Sequence, residues 1–190
     1  LTPWVAEPLW RGKRVFLIGG GPSLKGFRFE LLANEECLAI NEAFLDVPWA
    51  SVLFFRDFDW FAGRAEILTE WPGRIITVSP GAAREWPGRV LFVESNTREM
   101  PRARTSGQQA VALAVMMAAR QIVLLGYDWN PDGGNYHNRY PKQGLEYRGG
   151  LVEGWKGYRE RASRAGCEIV NATPESAIRN FRRCEIAELL

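Results

Sequence analysis

The residues best suited to chemistry come in short polar clusters, each following an apolar run. Gly19-Gly20-Gly21-Pro22-Ser23-Leu24-Lys25 follows Val15-Phe16-Leu17-Ile18. Glycine lets a chain turn tightly and lets a ligand approach amides that a side chain would shield. Pro22 can open a helix, and Ser23 can cap that helix or bond a ligand directly. A strand ending in such a turn presents N–H dipoles to a phosphate. Leu24 leaves the dinucleotide fingerprint G-x-G-x-x-G incomplete, and a tight turn without a ligand is the other reading. Asn41 ends the run Cys37-Leu38-Ala39-Ile40, where open α/β sheets bind ligands. It reads equally as a cap for a helix starting at Glu42.

Asp57 and Asp59 follow a third run, 51–55. Two carboxylates so spaced could share a divalent cation, magnesium for example, that bridges a diphosphate; Asp57 also suits a helix N-cap. Thr105-Ser106-Gly107 opens a helical stretch, with Ser106 as the N-cap and Gly107 exposing first-turn amides, a second candidate anion site. Gly126-Tyr127-Asp128 follows the run 121–125, and Asp128 reads as a proton acceptor or as a residue tying loop amides at a strand end. His137 is the chain's one histidine, in a polar stretch, 129–150, that also holds Gly133, Gly134, Tyr136 and Tyr140. Histidine is a natural general base near neutral pH, and a solvated loop histidine is the alternative. A loop of that length in a compact domain is functional or mobile.

These clusters need elements to hold them. Strands are expected at 14–19, 37–40, 51–55, 75–78, 90–93, 121–125 and 168–173. Helices are expected at 27–33, 60–71, 108–120, 151–165 and 175–181, with 1–13 as an irregular cap. In 108–120, Ala110, Ala114 and Ala118 recur every four residues and make a small-residue face suited to lie close on a sheet. Trp71-Pro72-Gly73-Arg74 and Trp86-Pro87-Gly88-Arg89 are near copies, each leading into a strand. Residues 95–104 form a basic loop carrying Arg98, Arg102 and Arg104. The alternation predicts an α/β, Rossmann-like fold, a mostly parallel sheet with helices on both faces. Right-handed crossovers then bring the glycine turn, Asn41, Asp57 and Asp128 to one C-terminal edge.

At 190 residues the chain is expected to form a single domain, 1–190, with a substantial core. Its 46% apolar and 24% charged content is globular, and a net charge of +2 gives no strong argument for nucleic acid or a membrane surface. Of eight tryptophans, Trp49, Trp71 and Trp86 adjoin proline, which suggests packed corners. Cys37, Cys167 and Cys184 cannot all pair and lack metal-ligand spacing, so a reduced, intracellular, cytoplasmic state is expected. No apolar run reaches the ~18–20 residues of a membrane span. The start, Leu-Thr-Pro-Trp, shows no signal-peptide pattern and no initiating methionine, which points to residues missing upstream or a tag removed.

Taken in order, the glycine cluster through Lys25, Asn41, Thr105-Ser106-Gly107, Gly126-Tyr127-Asp128 and Asn171-Ala172-Thr173-Pro174-Glu175-Ser176 resemble the landmarks of two related groups. One is the bacterial lipooligosaccharide sialyltransferases, whose first motif is usually Gly-Asn-Gly-Pro-Ser-Leu-Lys. The other is a broad family of uncharacterised domains that includes the archaeal 6-hydroxymethyl-dihydropterin pyrophosphokinase; its phage-encoded members look closest. The landmarks run from 15 to 181. The resemblance implies a site for cytidine monophosphate made by Gly19, Gly21, Ser23, Asn41, Thr105, Ser106 and Gly107, with Tyr136 on a phosphate-binding tyrosine position. Three positions depart from the sialyltransferase pattern. Gly20 replaces an asparagine and removes a ligand contact, Asn130 replaces the second tyrosine, and Gly149-Gly150 stand where the catalytic histidine belongs.

The resulting expectation is a nucleotide-binding transferase, glycosyltransferase-like, using a nucleotide-sugar donor of the cytidine type. Gly19–Ser23, Asn41, Thr105–Gly107 and Tyr136 would bind the nucleotide, and His137 or Asp128 would take the acceptor's proton. Two alternatives stay open. One is magnesium-dependent diphosphate transfer from ATP, with Asp57 and Asp59 as metal ligands; the other is a non-catalytic nucleotide-binding module. The acceptor is not readable. An oligomer, signalled by an exposed Trp/Phe patch, and a phage origin with a bacterial cytoplasmic setting are what the resemblance adds.

Overall fold

Runs of branched and aromatic residues with no polar alternation become strands buried on both faces. The computed structural model describes residues 1–129, 134–137 and 153–190. Asn130, Gly133, Tyr140, Gly149 and Gly150 lie outside the described residues. The strands are β1 Arg14–Ile18, β2 Cys37–Ile40, β3 Val52–Phe55, β4 Arg74–Thr77, β5 Val90–Phe92, β6 Gln121–Leu125, β7 Glu168–Asn171 and β8 Arg182–Arg183. They form one sheet in the order β5-β4-β3-β2-β1-β6-β7-β8, and every pairing is parallel. The chain runs outward from β1 to one edge, crosses back, and then runs outward from β6 to the other. The order therefore switches between β1 and β6, the place where open parallel sheets bind ligands. Ile18 lies level with Ala39 and with Leu125, so the loops after β1, β2 and β6 emerge side by side.

Successive side chains on each strand enter opposite layers. Val15, Leu17, Val52, Phe54, Ile122 and Leu124 face one core, shared with α4 (Ser106–Met116) and α5 (Tyr158–Arg164). Phe16, Ile18, Leu53, Phe55, Val123 and Leu125 face the other, shared with α1 (Phe58–Ala62), α2 (Ala65–Leu68) and α3 (Pro80–Glu85). Two filled layers explain why the strand runs are apolar throughout. The tryptophans beside proline pack as corners: Trp71 meets Phe44 and Trp86 meets Phe61 edge-on, and Trp49 Nε1 donates to Leu32 O at 3.1 Å. The two Trp-Pro-Gly-Arg turns lead into β4 and β5, and Arg89 of the second donates to Gly73 O of the first at 3.0 Å.

Several elements differ from expectation, each for a local reason. The stretch 27–33 holds only a 3-10 turn, Phe29–Leu32. The helix expected at 60–71 splits, because Gly63 caps α1 and Arg64 leaves helical geometry (φ −128°, ψ 0°). The Arg64 guanidinium instead reaches the fully buried Glu42, Nε to Oε1 2.9 Å. Helix α4 stops at Met116, since Ala118 takes φ +63° and the Ala119 amide turns back to Ala114 O (3.1 Å), a Schellman ending without glycine. Ala110 and Ala114 stay fully buried where α4 crosses β1–β3, and Ala118 lies beyond the helix. Of 151–165, a 3-10 turn at Glu153–Trp155 and α5 are helical, separated by Gly157 at φ +84°. Residues 175–181 form no helix: Glu175 sits at φ +51°, and the Ser176 hydroxyl competes for the backbone, donating to Tyr127 O (2.6 Å) and accepting from Ile178 N (3.2 Å). The expected Trp/Phe patch is absent among the described residues. No tryptophan there is exposed, and Phe58 is the one exposed phenylalanine. No helix of the described residues is long and apolar enough to cross a membrane.

Candidate functional site

The glycine turn leaves β1 at the switch point, and its backbone is bonded to the loop after β6. Gly19 N donates to Leu125 O and Gly21 N to Gly126 O, both at 2.8 Å. A Cβ on Gly19 would stand 2.7 Å from Gly126 O, and one on Gly21 would stand 1.8 Å from Asp128 Oδ2. These two glycines are required by close approach to a neighbouring loop, not by positive φ. Pro22 opens the 3-10 turn Pro22–Leu24, and Ser23 does not cap it. Instead Ser23 donates twice to Asp128, from its amide to Oδ1 (2.9 Å) and from its hydroxyl to Oδ2 (2.8 Å). The anion held by this turn is the chain's own carboxylate. Burial pushes the Asp128 carboxyl above its usual range, and the two Ser23 bonds pull it back. Gly20 is the exception in the turn, because its amide makes no bond to the β6 loop.

The closing motif braces the same loop. Tyr127 N donates to Thr173 Oγ1 (2.9 Å), and Asn171 Oδ1 accepts from Thr173 N (3.1 Å). With the Ser176 bond to Tyr127 O, three of the sequence landmarks form one hydrogen-bonded unit at the ends of β1, β6 and β7.

Asn41 lies in the other half of the edge, directly after β2. It has φ +50° and is the first residue of a 3-10 turn, Asn41–Leu45, which its side chain does not cap. Its Oδ1 is buried and has no hydrogen-bond partner among the described residues. A strained backbone and an unpaired buried acceptor each cost free energy, and such outliers gather at ligand sites.

Helix α4 begins at the same edge. Thr105, not Ser106, is its N-cap, accepting from Gln108 N at 3.3 Å, while Ser106 already has helical geometry. The first-turn amides of Ser106 and Gly107 therefore keep no intrahelical acceptor and point out of the helix start. Gly107 has its own steric cause, since a Cβ there would lie 2.8 Å from the Trp129 ring, which stacks on Tyr127 at 5.4 Å between centroids.

The segment 134–137 folds over the glycine turn. Tyr136 N donates to Gly20 O at 3.0 Å, and the Tyr136 hydroxyl donates to Asp46 Oδ2 at 2.6 Å. Its ring contacts Phe29 and His137. His137 Nε2 lies 3.9 Å, and Asn135 Oδ1 2.9 Å, from where a Gly20 side chain would start. Sequence reasoning missed Asn135, whose amide lies where the resemblance expects an asparagine at position 20, and Asp46, the partner of Tyr136. No motif flags either one; only the return of the loop reveals them.

Asp57 and Asp59 are exposed and stand apart from this cluster, at the start of α1. Asp57 is at the N-cap position without a capping bond and pairs with Arg56 (Nε to Oδ1 3.5 Å). Partial burial raises its pKa, Arg56 lowers it and Asp59 raises it again. A guanidinium already pairs with one carboxylate, and among the described residues no group of three or more His, Cys, Asp or Glu could hold a metal ion. A divalent cation on this pair would have to displace the Arg56 guanidinium from Asp57 and take its remaining ligands from elsewhere. The three cysteines are free, and burial pushes the Cys37 and Cys167 thiols up to about 12, which makes them poor metal ligands and nucleophiles.

Sheet order and site geometry can be set against known proteins. No family model matches the chain, and no curated protein matches it. Among solved structures, the chain is similar in fold to the sialyltransferase CstII from Campylobacter jejuni, solved in complex with a substrate analogue, cytidine 5′-monophosphate. The TM-score is 0.58 over 91% of this chain and 85% of the other, at 12% identity.

Proposed function

We propose that the protein is a glycosyltransferase-like enzyme that binds a nucleotide sugar, of the cytidine type, across the switch-point edge. The observation that carries this reading is Asn41, with its positive φ and its buried, unpaired Oδ1, on the same sheet edge as the first-turn amides of α4. A nucleoside hydroxyl or amine would satisfy Oδ1. The Gly20, Ser106 and Gly107 amides would hold the phosphate and stabilise the charge that grows on the leaving nucleotide. Gly19, Gly21, Pro22 and Ser23 shape that edge through the β6 loop rather than by touching the ligand, and Thr105 fixes the helix start. Tyr136 would reach a phosphate by exchanging its bond to Asp46. In the transfer, the sugar's bond to the phosphate oxygen breaks, a bond to the acceptor oxygen forms, and His137 takes the acceptor's proton. Asp128, held by Ser23, is the less suited base.

The test is calorimetric titration with CMP, CDP, UDP, GDP, ADP and ATP, each with magnesium and with EDTA. Metal-independent binding of a cytidine nucleotide, lost in Asn41→Ala, is expected. Binding of ATP only with magnesium would replace the reading with diphosphate transfer. No binding by folded protein would overturn both. Donor hydrolysis then separates an enzyme from a binding module: His137→Ala should abolish turnover and leave affinity intact.

A further inference from the structure

A second depression opens on the same sheet edge, away from the glycine turn. It lies beyond the ends of β3, β4 and β5 and beside the start of α4, and its volume is about 460 Å³. Arg56, Ser79, Ser95, Asn96, Arg102 and Gln109 supply its polar lining, and Val78 is among the apolar residues. Arg56 directly follows β3, and its Nη1 donates to Ala103 O at 2.9 Å, which pins the basic loop 95–104 over the cleft. Asn96, in that loop, takes φ +70°.

Gln109 gives the cleft its chemistry. It is only 3% exposed, yet its Oε1 has no hydrogen-bond partner. A buried position in α4 followed by Ala110 and Val111 would be filled more cheaply by an apolar side chain. An amide kept there, lining the cleft, suits a ligand that brings a donor. Two guanidiniums and no carboxylate line the cleft; Asp57 pairs with Arg56 from outside it, Nε to Oδ1 3.5 Å, and Arg102 is exposed. Arginine forks match phosphate and carboxylate oxygens.

We infer that this cleft is the acceptor subsite, taking a small sugar that carries a phosphate or a carboxylate. Arg56 and Arg102 hold the anionic group, and Gln109 Oε1 accepts from a sugar hydroxyl. This rests on the nucleotide-transfer reading, because the start of α4 borders both places, with Ser106 and Gly107 at the nucleotide and Gln109 at the acceptor. The two fail separately in the test below.

The experiment titrates the protein, with and without saturating CMP, with glucose 6-phosphate, glucuronate and glucose. The anionic sugars should bind at least tenfold more tightly than glucose, and CMP should not displace them. Arg102→Ala, an exposed position, and Gln109→Met, a near-isosteric change, should each weaken that binding about tenfold and leave CMP affinity unchanged. Preference for glucose 6-phosphate marks the group as a phosphate, and preference for glucuronate marks it as a carboxylate. Equal binding of glucose, displacement by CMP, or no effect of either substitution would overturn the subsite. No anionic binding alongside intact CMP binding would overturn it alone. Anionic binding sensitive to both substitutions, without any CMP binding, would remove the nucleotide reading and the acceptor role with it, leaving an anionic-sugar site.

Discussion

The two halves of the C-terminal edge do opposite things with similar residues. On the β1–β6 side, the glycine turn, Gly126-Tyr127-Asp128 and the closing motif satisfy one another: Gly19 and Gly21 bond the β6 loop, Ser23 bonds Asp128, and Ser176 bonds Tyr127. On the β2–α4 side, Asn41 is strained and unpaired, and the first amides of α4 lack acceptors. The stretch that most resembles a phosphate loop spends most of its polar groups on the neighbouring loop, and the groups left with unused hydrogen-bonding capacity are the less conspicuous ones. Rigid pairing on one side can hold the other side in a geometry it would not keep alone.

The largest effects should come from breaking the paired side. Gly21→Ala places a methyl 1.8 Å from Asp128 Oδ2 and 2.6 Å from Gly126 O, so the turn must separate from the β6 loop. A loss of about 3 kcal/mol or more in urea unfolding is expected, at the upper end for overpacking. Gly20→Ala crowds the Asn135 side chain and reaches His137 Nε2 only at ordinary contact distance, so it should cost under about 1 kcal/mol, since the Asn135 side chain can move. Equal losses at the two glycines would remove the contrast.

Asp128 separates charge from shape. Asp128→Ala strands the Ser23 amide and hydroxyl and should cost about 1–3 kcal/mol. Asp128→Asn keeps an acceptor and should stay near wild type. The pH dependence gives a finer test. The folded-state pKa of Asp128 is raised, so between the usual carboxylate value and the raised one the folded chain binds more proton than the unfolded chain. Its contribution to stability therefore falls as pH rises through that window. The stability of Asp128→Asn relative to wild type should be greatest near pH 7 and should shrink on acidification below it, as followed by urea midpoints. A gap that widens toward acid would mean that the ionised carboxylate is favoured in the fold.

The sheet was legible because burial on both faces leaves a simple trace, apolar runs such as Val15–Ile18 and Ile122–Leu125 with no alternation. The two-arginine strand β8 leaves no such trace at an exposed edge. The break at Gly63-Arg64 depends on Glu42, 22 residues away, and the loss of helix at 175–181 depends on a carbonyl of Tyr127, 49 residues from Ser176. The site was legible as a set of positions and not as a set of roles. Ser23 reads from the sequence as a helix cap or a ligand group, and its bond to Asp128, 105 residues on, is invisible there. A side chain's partner decides its function, and these partners come from other loops.

On the unpaired side the balance should reverse, with small changes in stability and large changes in binding. Asn41→Gly relieves φ +50° and removes a buried acceptor without a partner, at the price of a more flexible unfolded chain. Stability should be unchanged or up to about 1 kcal/mol higher, while CMP affinity falls about tenfold or more. A stabilised variant that still binds CMP as wild type would show that Asn41 is strained for the sake of the turn rather than the ligand.

A small effect is expected where segment 134–137 joins the two halves. Tyr136→Phe deletes the hydroxyl bond to Asp46 and keeps the ring on Phe29 and the amide on Gly20. A part-buried bond to a carboxylate contributes about 1.5 kcal/mol, the low end of the range for charged acceptors, so the melting shift should be modest. Its consequence for binding tells the two halves apart. If Tyr136 exchanges Asp46 for a phosphate, Tyr136→Phe weakens CMP and leaves cytidine untouched, because only the phosphate contact is lost. If Tyr136 only latches segment 134–137 over the turn, both ligands weaken together, since the whole edge loosens. Titration of the two ligands against this one variant decides whether the loop belongs with the braced half of the edge or with the half that meets the ligand.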